Sequence, residues 1–412
     1  MGGENEHNIV WLLREHPDAA ATGHSRWVHS LLRSASVPGV VNHVALPDAR
    51  GLPSWWPADR SGWVVHAPHI RDVRGIRLAP PRVVARNVAW RGYHAAPLAV
   101  QRQLAAARRA ARRRRAVDHV LGRSWSSAER AWIEGVMTRE QPDIVVFDSV
   151  FTLDGVDTSA RRVVLVSDLV HERAASFAEL GYRTAPKGLT PEWELGLLAG
   201  ADALVTIQWD DADLLRAQLP GMPVTVAPPT FAPVARRAAP DPGTCLFVGI
   251  GTLHNVDALR WTLESVWGTV RRVVPGAELR VAGSVGGQVP VADPSVTILG
   301  RVADLGAEYA RAAVVIVPLR AGSGLKVKVA EAISHGCAIV TTPVGAQGLM
   351  ALEPRPFVVA DGSEAFSGAL ISLLRDGDAR AALETAAASA QSVFDPAKAH
   401  ADLLPVITGA VR

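Results

Sequence analysis

Lysine is scarce in this chain: Lys187, Lys326, Lys328 and Lys398 are the only four among 43 basic residues. Cysteine is nearly absent. Cys245 and Cys337 both sit in apolar runs, which excludes a disulfide scaffold and reads as buried thiols in a reducing compartment. No apolar run approaches the roughly 20 residues of a membrane span. The opening "MGGENEHN" is polar and acidic, so no signal-peptide pattern is seen. A net charge of +3 exerts no strong global pull toward nucleic acid, and none is expected as a partner. The reading is a cytoplasmic protein.

What is present is an ordinary globular composition, 48% hydrophobic and 20% charged, over 412 residues. That length suggests two domains or three. Residues 227–243, "APPTFAPVARRAAPDPG", hold five prolines and no periodicity, so they read as a linker. After it, "CLFVGI", "ELRVAG", "VTILG", "AVVIVPL" and "AIVTT" are continuous apolar runs, with helical patterns among them. Such alternation predicts a parallel, doubly wound sheet covered on both faces. The first half repeats the pattern less regularly in "NIVWLL", "VVNHVAL", "GWVVHA", "DIVVFD", "RRVVLVSD" and "ADALVTI". Residues 46–100, with seven prolines, resist placement. The fold class is thus α/β, with two Rossmann-like doubly wound domains facing a central cleft. The expected boundaries are 1–226, the linker 227–243, 244–395, and a tail 396–412 that crosses back to the first domain.

Two of the four lysines lie in "GSGLKVKVAEAISHG", Gly322–Gly336. The spacing of Leu325, Val329 and Ile333 predicts a helix buried along one stripe, with Gly336 as its stop. A strand, a Gly-Ser-Gly turn and a helix N-terminus present unpaired N–H groups and a partial positive charge, as phosphate sites do. Lys326 near that end is unfavourable against the dipole by about 0.3–1 kcal/mol, which an anion would offset. Glu331 is suited to accept hydrogen bonds from sugar hydroxyls. The local chemistry reads as a nucleoside diphosphate with its ribose. The plainer reading is a surface helix with an ion pair between Lys328 and Glu331.

The segments "CLFVGIGTLHNVDALRW", "AELRVAG", "VTILGRVADLGAEYARAAVVIVPLRAGSGLKVKVAEAISHG" and "CAIVTTPVGAQGL" resemble the family 4 (group 1) glycosyltransferases of the GT-B fold, in a variant with Gly-Ser-Gly and two lysines. The resemblance implies a C-terminal domain for the nucleotide-sugar donor and an N-terminal domain for the acceptor. It implies that Lys326 contacts the diphosphate, Glu331 the ribose, Gly249, Gly251, His254 and Asn255 the underside of the phosphates, and Arg301 and Val302 the base. Arg320, Gly322, Ser323 and Gly324 complete the implied donor set. It also implies retention of anomeric configuration. Many members carry Glu-x7-Glu here; this chain has Ser323 at the first position and Glu331 at the second. Gln347 stands where related sequences often have Glu. No Asp-x-Asp lies where a metal would bridge the diphosphate, so neither a metal nor a cofactor is expected beside the donor.

In the first half, "PDAAATGHSRWVHSLL" resembles the family's cleft loop, with Gly23 and His24 facing substrate, although the usual double glycine is absent. "VLVSDLVHERAASF" matches the strand ending in a polar loop: Asp168 and His171 are catalytic candidates beside Lys326 and His24. A helix cap for Asp168 and solvated loop histidines are the plainer readings. Ten of the twelve tryptophans precede residue 210, and Trp55, Trp56, Trp63 and Trp90 mark a region where an acceptor pocket or ordinary packing is expected. Residues 102–115 hold seven arginines and no acid, a helix suited to anionic lipid at the inner membrane face, to a polyphosphate acceptor, or simply to solvent. The function expected is sugar transfer to an acceptor that is a lipid, a glycan or a small natural product. A nucleotide-sugar epimerase or phosphorylase on the same architecture, and an inactive sugar-nucleotide-binding protein, stand as alternatives.

Overall fold

Runs rich in Val, Ile and Leu form the strands expected above, because a sheet covered on both faces buries most of such a run. The computed structural model describes residues 7–17, 22–48, 52–57, 62–73, 76–95, 100, 124–182, 188–235 and 240–410. The N-terminal half builds β1 (His7–Leu12), β2 (Val40–Ala45), β3 (Trp55–Pro57), β4 (Val64–His66), β5 (Arg71–Val73), β6 (Ile76–Leu78), β7 (Ile144–Phe147), β8 (Arg161–Val166), β9 (Ala203–Thr206) and β10 (Val224–Val226). Seven of these form a parallel sheet in the order β10-β9-β8-β7-β1-β2-β4. The C-terminal half builds β11 (Thr244–Val248), β12 (Glu278–Ala282), β13 (Val296–Gly300), β14 (Val314–Val317), β15 (Ile339–Thr341) and β16 (Phe357–Val359). They form a second parallel sheet, β13-β12-β11-β14-β15-β16. Two Rossmann-like domains with the GT-B architecture result, and in each the order reverses beside the first strand, where such sheets open a crevice at their carboxyl ends.

The core follows from the same patterning. Val10 and Leu12 face one side of β1, with Ile133, Val136 and Phe147; Ile9 and Trp11 face the other, with Trp27, Leu31 and Leu32. Each such side chain stabilises the fold by about 1.5–3 kcal/mol. The region that resisted placement contains a small antiparallel sheet, β3-β6-β5, and a helix, Pro81–Ala95. Its strands are three residues long, too short for periodicity to register.

The described part of 227–243 is laid along the second domain: Phe231 N–H donates to Phe394 O at 2.9 Å and Val234 N–H to Ser334 O at 2.9 Å. Beyond it the chain returns to the first domain. His400 Nδ1 lies 2.8 Å from Ser34 Oγ, and Arg161 Nε donates to Ile407 O at 3.0 Å. Among the described residues no helix is long and apolar enough to cross a membrane. The arginine-rich stretch 102–115 lies outside the described residues.

Candidate functional site

The lysine stretch folds as strand, turn and helix, one step later than its apolar spacing suggests. β14 leads through Arg320 and Ala321-Gly322-Ser323-Gly324 to a helix Val327–Ser334, so Lys326 is the residue before the first turn and Leu325 precedes it. Val329 and Ile333 are fully buried, and the chain leaves the helix at Gly336, whose φ is +64°. The Lys326 ammonium is buried under the turn and donates to Ser323 O at 3.0 Å, Gly324 O at 2.5 Å and Gln347 Oε1 at 2.9 Å. Lys328 donates to Asn255 Oδ1 and lies 5.7 Å from the Phe247 ring centre. Asn255 in turn donates to Ile250 O and Thr252 Oγ1, both at 3.0 Å, binding the 249–252 loop to the lysines.

Both ammonium groups are held in an unfavourable state. Burial lowers the Lys326 pKa to about 8, with Asp168 and Asp211 resisting the fall and Arg173 adding to it. Burial and then the charge of Lys326 lower Lys328 to about 7. An anion bound between them would raise both values, so its binding takes up protons. Affinity for a nucleoside diphosphate is therefore expected to be highest below pH 7 and to weaken as pH rises through 7–8. Calorimetry at pH 6.5 and 8.5 in buffers of different ionisation heat checks this; equal affinity with no proton uptake would contradict it.

The ion pair of Lys328 with Glu331 is not made. Glu331 accepts instead from Arg26 of the first domain and from Tyr309 Oη at 3.1 Å. Arg26 follows Gly23 and His24 on the helix Gly23–Ala35, and a Cβ at Gly23 would lie 3.2 Å from Val327 Cγ2. The cleft loop and the lysine helix thus touch.

From the other domain, Asp168 follows β8 and meets the Gly-Ser-Gly turn. Its carboxylate accepts from Arg173 Nη1 at 2.7 and 2.6 Å and from Ser323 Oγ at 2.8 Å. It does not cap the helix Val170–Glu179. Glu194 does so, accepting Val170 N–H at 2.8 Å and His171 N–H at 2.9 Å. Glu194 also lies 2.7 Å from His171 Nδ1, so His171 is not a solvated loop residue. Gly322 N–H donates to Ser176 Oγ at 3.1 Å, and Gly348 N–H to Asp210 Oδ2 at 3.0 Å. The turn is thereby clasped across the cleft.

His24 Nε2 lies 3.8 Å from Asp148 Oδ2, a charge contact too long for a hydrogen bond, and neither ring nitrogen has a hydrogen-bond partner. Burial pulls its pKa down, but Asp148, with Glu15 and Asp168, more than offsets this and raises it. Asp211, buried after β9, is pushed up to about 7 by burial, against a hydrogen bond from Gln208, with Asp168 and Glu172 adding to the rise and Lys326 opposing it. Sequence reasoning missed Asp211, Arg26, Asp148 and Tyr309. The available signal was position: Asp148 and Asp211 follow β7 and β9 at the carboxyl edge where open sheets bind ligands.

The remaining expected residues divide. Gly249 and Gly251 are anchored by N–H bonds to Ala282 O at 2.9 Å and Ser284 Oγ at 3.0 Å, and His254 lies against Phe177 of the other domain. Arg320 is held bidentately by Asp257 at 3.0 and 2.7 Å, and Asp257 also accepts Tyr182 Oη at 3.0 Å. Arg301 and Val302 follow β13 at the sheet edge, three strands away from β14. Trp63 packs edge-on to His29 at 5.6 Å against the core. The side chains of Trp55, Trp56 and Trp90 lie outside the described residues.

Comparison with known proteins adds to this geometry. No curated protein matches the chain by sequence. Among solved structures, the chain is similar to WaaG, a glycosyltransferase involved in lipopolysaccharide biosynthesis, with TM-score 0.59 and 14% identity over 97% of this chain and 100% of that one. It is similar to sucrose-phosphate synthase from Thermosynechococcus elongatus, with TM-score 0.62 and 13% identity over 95% and 96%. Anabaena Alr3699/HepE in complex with UDP and glucose gives TM-score 0.58 and 11% identity over 95% and 96%. At these identities the likeness is one of fold. Residues 243–376, which carry the lysine corner, match the family model described as Glycosyl transferases group 1.

Proposed function

We propose that the protein transfers a sugar from a nucleoside diphosphate sugar to an acceptor nucleophile in the cleft between its domains. The observation that carries this reading is the buried Lys326 beside the half-buried Lys328 at the β14–helix corner, where the turn meets Asp168 of the other domain. The family match over that corner and a fold neighbour holding UDP and glucose support it. As the glycosidic bond to the diphosphate lengthens, negative charge grows on the leaving phosphate. Lys326 and the N–H groups of Val327 and Lys328 at the helix start would stabilise that charge without reorganising.

Ser323 supplies no carboxylate to the turn, but Asp168 brings one to within 2.8 Å of its hydroxyl. We assign Asp168, oriented by Arg173, to the reacting sugar. His24, with its unpaired ring nitrogens and raised pKa, is assigned to the acceptor side. Glu331 would exchange Arg26 for the ribose hydroxyls. Retention follows from front-face attack, in which the leaving phosphate takes the acceptor proton, and the step is proposed to need no metal at the diphosphate. The clasp at Ser176, Asp168 and Asp210 would open for donor entry and reclose to exclude water. The acceptor is proposed to be a lipid, glycan or small natural product, met in the cytoplasm or at the membrane's inner face.

A thermal-shift panel of nucleoside diphosphates and their sugars tests the reading. One base is expected to stabilise the protein by about 2.7 kcal/mol at a hundredfold excess over Kd. No shift with any of them would overturn it. The serine at 323 and the glutamine at 347 favour one rival, an inactive sugar-nucleotide binder. That rival binds donor without turnover over a broad acceptor panel, whereas an epimerase converts donor with no acceptor present.

A further inference from the structure

The N-terminal sheet carries a second cluster of chemistry-bearing groups, apart from the residues assembled between the domains. His43 on β2 and His66 on β4 lie on one face of neighbouring parallel strands, His43 opposite Val64 and His66 two residues further on. The helix Ser127–Glu140 packs over that face through Ile133 and Val136, and its last residue, Glu140, reaches the same point. His43 Nδ1 lies 2.9 Å from His66 Nε2, and Glu140 oxygens lie 3.5 Å from the first and 3.8 Å from the second. All three ligand atoms fall within 4.8 Å of one another.

This convergence is rich in lone pairs. Two neutral imidazoles facing nitrogen to nitrogen share one proton, and the carboxylate brings only lone pairs. We propose that His43 Nδ1, His66 Nε2 and a Glu140 oxygen bind one divalent transition-metal ion of the zinc type, with water in the fourth position. Two imidazoles and a carboxylate are a recurrent donor set for such an ion. Ideal tetrahedral geometry requires the two rings to part by about half an ångström, given metal–nitrogen distances of about 2.0–2.1 Å. Nearby guanidiniums do not join the set: Arg77 donates to Val65 O and Arg139 to Gly135 O.

The ion would act as a staple. It ties the edge strand β4 to β2 and to the end of a helix 74 positions further along the chain. The inner strands need no such tie because they pair on both sides; among the described residues β4 pairs on one side only, with β2.

Equilibrium dialysis of the full chain against Zn²⁺ is expected to give one bound equivalent, and Co²⁺ to give visible bands of a low-coordinate nitrogen–oxygen site. His66→Gln and Glu140→Gln, both at partly exposed positions, are expected to weaken binding about tenfold or more while melting without metal as the parent does. Zn²⁺ should raise the melting temperature of the parent and not of the variants. Absence of stoichiometric binding, or binding and stabilisation unchanged in both variants, overturns the proposal. A variant that melts early without metal is read by whether its Co²⁺ spectrum persists at a temperature where it remains folded: persistence overturns the site, and loss supports it.

Discussion

Replacing Lys326 with alanine is expected to weaken nucleoside diphosphate binding by about 10- to 100-fold, the effect of losing a hydrogen bond to a charged group worth about 1.5–3 kcal/mol. Lys326 donates to Ser323 O, Gly324 O and Gln347 Oε1, so the substitution removes both a charge and the brace of the turn. Lys326→Met keeps most of the volume and separates these effects. If charge dominates, both variants lose affinity alike. Lys398, exposed in the tail, serves as the control and should change nothing. Calorimetry measures all three. A Lys326 variant that binds within twofold of the parent would remove the phosphate role from this corner.

Gly324→Ala is expected to reduce turnover by about a hundredfold, as a misplacement of about 1 Å can, while leaving nucleotide affinity within a fewfold. Gly324 has φ +71°, a conformation that costs other residues about 1–2 kcal/mol. A Cβ there would also enter the van der Waals shell of Ser167 O and lie 2.9 Å from Asp168 Cβ. Backbone cannot yield as a flexible side chain does. The new methyl would therefore push the turn from the first domain and break the bond of Ser323 to Asp168. The groups assigned to the phosphates, Lys326, Lys328 and the amides at the helix start, all come from the second domain, so donor binding is expected to survive. Steady-state kinetics beside a binding isotherm read the split. Unchanged kcat would show that contact between turn and Asp168 plays no part in the reaction.

The sequence makes the second domain legible and the first only partly so, for physical reasons. "AVVIVPL" and "CLF" are buried on both faces, as in a covered parallel strand. The corner at Gly322–Lys326 is local, so neighbouring residues reveal its chemistry. The partners that complete it are not local. Arg26 reaches Glu331, and Asp168 reaches Ser323, across the cleft and over long sequence separations. Periodicity carries no information about which faces meet. His171 was noticed by type, but its tie to Glu194 depends on how one helix packs over another. Lys328 was paired with the nearest acid on its own helix face, and the loop at Asn255 offered the better partner.

The central claim is that a diphosphate sits where β14 turns into the helix Val327–Ser334. A crystal structure of the protein with a nucleoside diphosphate tests it most directly. Phosphate oxygens within hydrogen-bond distance of Lys326 Nζ and the amides of the helix's first turn are the expected result. Nucleotide bound elsewhere, or a corner left unchanged at saturating ligand, would contradict the account.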